Sequence, residues 1–82
     1  PGRIHIRIPT KLATKEIAKN IIQHIFSYDF HDEATNQKID MIEDNKHSQS
    51  KIITKCCNEI LDFKNMTNNL EYINRAVDAL NI

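Results

Sequence analysis

Apolar side chains recur at intervals of three and four residues along most of this chain, which is the pattern of amphipathic helices. The clearest stripe predicts a first helix over residues 11–27, with a helix start available at Thr14. Its members are Ile17, Ala18, Ile21, Ile22, Ile25 and Phe26. A weaker pattern after Asp32 predicts a second helix near 33–44.

Two further helical patterns follow the polar segment 45–50, which lacks periodicity and is predicted to be a loop. Ser48 or Ser50 can cap a third helix, which we expect to continue through residue 64. Thr67 can cap a fourth helix in the same way. Four amphipathic segments joined by short links predict a mostly α fold, a small four-helix bundle.

The predicted bundle forms one domain, because 82 residues suffice for a single small core. The chain begins with Pro1 rather than Met, so we expect it to be a fragment of a larger protein.

The first nine residues differ from the rest, because isoleucine alternates there with basic residues. Ile4, Ile6 and Ile8 occupy every second position, which is typical of a half-buried strand. The sequence therefore predicts an extended arm over residues 1–9. Its strand covers residues 3–8 and ends before Pro9, because proline has no N–H to donate to a neighbouring strand. A lone strand needs a partner, either another copy of itself, a strand of another protein, or the surface of its own bundle.

The stretch RIHIRIPTKL resembles the opening strand of ribbon-helix-helix repressors over about residues 3–26. The resemblance implies a dimer of paired strands in which Arg3, His5 and Arg7 enter the DNA major groove. A two-stranded ribbon fits that groove, and arginine reads guanine edges well. The segment SYDFHDE, however, stands where that family has a turn of small residues.

A shorter stretch, IRIPTKL, is similar to the opening of the dimerisation and docking domain of cyclic-AMP-dependent kinase regulatory subunits. That resemblance covers residues 6–12 and implies a leading segment that helps to form a groove for an amphipathic helix. We assign the chain to neither family. Both show that an opening of this kind can support self-association.

Charge divides the chain into two parts although the net charge is zero. Residues 1–26 carry five basic groups against one acidic group, whereas residues 27–82 carry six against ten. Neutrality counts against nucleic acid, whose affinity comes chiefly from contacts of lysine and arginine with phosphates. Lys11 and Lys15 nevertheless recur on one helix face and are the candidate phosphate contacts.

The aromatic pair Tyr28 and Phe30 follows the first predicted helix. Aromatic residues are enriched among binding hot spots, so this pair is a candidate contact for a partner. The alternative is that it covers the junction between the first two helices.

No residue pattern indicates catalysis, a metal or a cofactor. Gly2 is the only glycine, which excludes a glycine-rich phosphate loop, and the four histidines show no ligand spacing. Two adjacent cysteines indicate a reducing compartment, and no apolar run is long enough to cross a membrane. We therefore expect an intracellular protein of the cytoplasm or nucleus that takes no small-molecule substrate.

The sequence as a whole predicts a non-enzymatic protein-interaction or oligomerisation domain that acts through its basic, isoleucine-rich arm. Its expected partner is another protein chain, with a second copy of itself as one candidate. The predicted contact residues are Ile4, Ile6, Ile8, Tyr28 and Phe30. The alternative is a dimeric DNA-binding regulator whose contact residues are Arg3, His5, Arg7, Lys11 and Lys15.

Overall fold

A computed structural model describes residues 11–61, 63 and 67–80 of the chain. Its elements are β1 (Leu12–Ala13), α1 (Lys15–Phe26), α2 (Glu33–Asp40), β2 (His47–Ser48), α3 (Gln49–Asn58) and α4 (Thr67–Leu80). The predicted mostly helical fold with four helices is confirmed. The predicted strand over residues 3–8 lies outside the described residues.

A short antiparallel sheet joins the start of the described chain to its middle. Leu12 pairs with Ser48 and Ala13 with His47. The first helix consequently begins at residue 15, four residues later than predicted. Thr14 adopts an extended backbone there, and its hydroxyl accepts a hydrogen bond from the N–H of Ile17 at 3.3 Å. This cap fixes the boundary between strand and helix.

The second helix also begins at a side-chain cap and ends earlier than predicted. The Asp32 carboxylate accepts hydrogen bonds from the backbone N–H and the hydroxyl of Thr35. Beyond Asp40 the chain tightens into a turn, in which the N–H of Ile42 bonds to the carbonyl of Ile39 at 2.9 Å. Asn45 then takes a left-handed backbone with φ of 59°. The chain therefore turns towards β2 instead of continuing the helix to residue 44.

The third helix begins after Ser48, whose hydroxyl accepts from the N–H of Lys51. It ends at Asn58, before the predicted end at residue 64, because Glu59 and Ile60 bond back to the third preceding carbonyl instead of the fourth. The fourth helix begins at Thr67, the residue that was predicted to cap it.

Helix α3 is the centre of the fold, since both α1 and α4 pack against it. The side chains buried most completely are Ala18, Ile22, Ile39, Ile52, Ile53, Cys56 and Cys57. Burying one isoleucine side chain contributes about 1.5–3 kcal/mol, so this aliphatic cluster supplies most of the driving force for folding.

Candidate functional site

The aromatic pair predicted as a partner contact packs on its own molecule. Tyr28 and Phe30 meet edge to face with their ring centroids 4.7 Å apart, and both are half-buried against the core. The ammonium group of Lys19 lies 5.2 Å from the centroid of the Phe30 ring, within cation–π range. The side-chain amide of Asn36 donates to the Phe30 carbonyl at 2.8 Å. These contacts favour a role in covering the junction between α1 and α2.

The two lysines predicted to contact DNA lie in different environments. The Lys15 ammonium donates to the carbonyls of Asp40 at 2.9 Å and Ile42 at 3.3 Å, and so it binds the C-terminal end of α2. Its backbone N–H donates to the Asp44 carboxylate at 2.8 Å. Lys11 is exposed immediately before β1. The remaining predicted contacts, Ile4, Ile6, Ile8, Arg3, His5 and Arg7, lie outside the described residues.

An apolar cleft lies between α1 and α4, on the side where these two helices flank α3. It is an open cavity of about 490 Å³. Its lining residues are Ile25, Asn69, Tyr72, Ile73, Ala76 and Val77. Tyr72 is 76% exposed and Ile25 is 47% exposed, although both are large apolar side chains. We call this feature the α1–α4 cleft.

The cleft exists because α4 is apolar on more than one side. Ile73 and Val77 are buried, whereas Tyr72 and Ala76 lie four residues apart on an exposed neighbouring face. The sequence shows that α4 is apolar over more of its circumference than one neighbouring helix can cover. The sequence nevertheless pointed to Tyr28 and Phe30 as the aromatic contacts, and Tyr72 was not predicted.

Hydrogen bonds between α3 and α4 hold this wall of the cleft in place. The Asn74 amide donates to the Thr54 hydroxyl at 2.8 Å, and Thr54 in turn donates to the carbonyl of Ser50 at 3.0 Å. The Ser50 hydroxyl donates to the Asp78 carboxylate one turn further along α4. Two such contacts fix the rotation of α4 about its own axis and therefore the side on which Tyr72 is exposed.

No acidic or basic side chain lines the cleft. Glu71, directly before Tyr72, and Arg75, three residues after it, form a salt bridge of 2.8 Å with each other. Asp78 already accepts the hydrogen bond from Ser50. A binding partner could therefore bury apolar surface in the cleft without having to neutralise a charge there.

The histidine, cysteine and acidic side chains of the described residues are the candidates for metal binding or nucleophilic chemistry. No group of three or more histidine, cysteine or acidic side chains is arranged to hold a metal ion in that part of the chain. Cys56 and Cys57 are free and buried, and burial raises their pKa to about 11 and about 12. Thiols with such values are poor nucleophiles at neutral pH, because the thiolate is the reactive form. Within residues 11–61, 63 and 67–80, no helix is both long and apolar enough to span a bilayer.

Comparison with known proteins finds no matching family model, no similar curated protein and no similar solved structure. In the described residues, this small, mostly helical protein has an apolar cleft between α1 and α4. Its function is therefore inferred from the properties of its own surfaces.

Proposed function

We propose that this chain is a non-enzymatic protein-interaction domain that associates with a second copy of itself. The α1–α4 cleft forms the centre of the interface, and the isoleucine-rich arm over residues 3–8 extends it. The supporting observation is the exposure of Tyr72 beside Ile25 in an apolar cleft that no acidic or basic side chain lines. The free, buried cysteines agree with the reducing intracellular compartment that we propose for the protein.

The composition of the cleft favours a protein partner. Tyrosine is enriched among interface hot spots because it offers a large apolar area together with a polar tip. Covering the exposed half of Ile25 contributes about 1 kcal/mol at the usual value for buried apolar area. An aromatic ring that is three-quarters exposed contributes at least as much when a partner covers it.

The uncharged lining of the cleft favours a second copy as that partner. In a two-fold symmetric dimer the same patch meets itself, so a patch with surplus charge would repel its copy. Here Glu71 and Arg75 neutralise each other within one chain. The protruding ring of Tyr72 also lies one helical turn from the small side chain of Ala76, so each copy offers both a projection and a recess.

The small size of the cleft is the reason for including the arm in the proposed interface. A stable interface occupies about 800 Å² and roughly 20–30 residues on each partner. The cleft has far fewer lining residues than that. Ile4, Ile6 and Ile8 would supply the additional apolar area, and a paired strand would also satisfy the arm's backbone hydrogen bonds.

Sedimentation equilibrium over a wide range of protein concentration tests this proposal. The wild type is expected to dimerise, and Tyr72→Glu is expected to weaken the dimer by about tenfold or more, because it places a charge in the apolar centre. The matched control is Leu61→Glu, since Leu61 is an apolar residue of similar exposure, 72%, outside the cleft. Circular dichroism verifies that each variant is folded.

Each outcome of this experiment decides one part of the proposal. A wild type that stays monomeric at every concentration overturns self-association. Dimers of equal strength in Tyr72→Glu and Leu61→Glu show that the interface lies elsewhere. A third variant, Ile6→Asp, tests the arm separately, and an unchanged dimer in that variant removes the arm from the interface.

A further inference from the structure

A second surface brings together lysines from three parts of the chain. The end of α2, the loop before β2 and the middle of α3 border an open groove of about 640 Å³. Lys38, Lys46 and Lys55 line it, one from each of these segments, around Met41 and Ile42. In the sequence Lys38 lies among acidic residues, and the three lysines come together only when the chain folds. We call it the lysine groove.

The floor of the lysine groove is apolar. Met41 is 83% exposed, the largest exposed fraction among the exposed large apolar side chains of the described residues. It follows Asp40 directly, at the point where α2 gives way to a turn. Ile42 beside it packs partly against the core. A flexible methionine side chain adapts to partners of different shape, and such residues are common at protein-binding surfaces.

Three lysines and two glutamates line the groove, which leaves an excess of one positive charge. Glu43 lies 3.9 Å from the Lys46 ammonium and compensates it. In the part of the chain that the structure describes, neither Lys38 nor Lys55 forms an ion pair within 4.0 Å, and Glu59 is the other acidic residue of the lining. Two lysines without ion pairs therefore flank the exposed methionine.

The nearby end of α2 does not oppose an anion. The C-terminal end of a helix carries partial negative charge on its free carbonyls. Lys15 reaches from α1 and donates to the carbonyls of Asp40 and Ile42, which offsets that charge. The charged side chains that remain in the lining are the three lysines, Glu43 and Glu59.

We propose that the lysine groove binds an acidic peptide segment of a partner protein, with one apolar side chain against Met41 and carboxylates beside Lys38 and Lys55. This site shares no lining residue with the α1–α4 cleft and does not depend on self-association. A volume of this size falls within the range of pockets that hold ligands, and the combination of apolar floor and basic rim selects an acidic, amphipathic segment. Nucleic acid would use the lysines but gain little from Met41.

Fluorescence anisotropy with a labelled synthetic peptide tests the proposal. The probe is a helix-forming peptide in which glutamates flank two leucines at i and i+4, and the control probe carries glutamine in place of each glutamate. We expect the acidic peptide to bind at low salt and to weaken as salt is added, because exposed ion pairs are screened. Lys38→Glu/Lys55→Glu should weaken binding by about tenfold or more, and Met41→Ser by about threefold or more.

A matched control separates this groove from overall charge. Lys11→Glu/Lys51→Glu changes the net charge by the same amount at exposed positions that line neither the lysine groove nor the α1–α4 cleft. Equal loss of binding in both double variants, or no binding by the wild type, overturns the proposal. A DNA duplex supplies the competing polyanion. The duplex could bind more tightly than the acidic peptide, with an affinity that depends on Lys38 and Lys55 but not on Met41. That result would assign the groove to phosphate binding and overturn the peptide proposal.

Discussion

Lys15 offers the sharpest test of how the described part of the chain is held together. Its ammonium group joins α1 to the end of α2 through the carbonyls of Asp40 and Ile42, at 2.9 and 3.3 Å. The perturbation is Lys15→Met, which keeps a long unbranched stem and removes the three donors. The variant leaves the last carbonyls of α2 with neither the charge nor the hydrogen bonds that offset their dipole.

The expected loss follows from the two distances. A hydrogen bond that involves a charged group contributes about 1.5–3 kcal/mol, and a cation at a helix C-terminus adds roughly 0.3–1 kcal/mol. The longer bond is weak, and holding the lysine chain in one conformation costs up to about 1.5–2 kcal/mol. The net loss is about 1–2 kcal/mol, which lowers the melting temperature by roughly 5–15 °C in a domain of this size.

Thermal unfolding followed by circular dichroism measures this loss. Lys11→Met is the matched control, because Lys11 is exposed and its removal changes the net charge equally. We expect it to stay within about 0.5 kcal/mol of the wild type, as surface substitutions usually do. If both variants melt at the same temperature, Lys15 does not stabilise the end of α2. Its ammonium group would then be free for another role, such as contact with phosphate.

Three further predictions concern the core and the titrating groups. Ile53→Ala should cost about 2–5 kcal/mol, as truncation of a fully buried isoleucine usually does, and a urea melt showing under 1 kcal/mol would mean that Ile53 is not in the core. The hydrogen bond from the Thr35 hydroxyl lowers the pKa of Asp32, so its contribution to stability is complete above the ordinary value of 3.8 and is lost as pH falls through the lower folded value. Urea midpoints of the wild type and Asp32→Asn should therefore differ at neutral pH and converge in acid; a difference independent of pH would contradict this. Burial raises the pKa of Cys56 to about 11 and of Cys57 to about 12, so a thiol reagent at neutral pH should label them rapidly only after denaturant is added. Rapid labelling of the native protein would show that these thiols are accessible.

The candidate surfaces were only partly visible in the sequence. Tyr28 and Phe30 drew attention because they are clustered, yet the structure packs them against the core and against each other. Tyr72 is isolated in the sequence and is the more exposed aromatic. Exposure depends on which neighbouring helix covers a given face, and spacing along one helix does not specify that neighbour.

Local signals determined the helices. The periodic apolar positions identified all four, and the starts of α1, α2 and α3 coincide with side chains that cap them, Thr14, Asp32 and Ser48. Such signals act within one helical turn, so a sequence contains them completely.

Contacts between distant segments decided everything else. The pairing of Leu12 with Ser48 and the reach of Lys15 to α2 join residues far apart in the chain, and the strand pairing delays the start of α1. The lysine groove and the α1–α4 cleft likewise exist because α3 brings separate segments together. Periodicity states which side of a helix is buried, but only packing determines which helix covers it and which surface remains open to a partner.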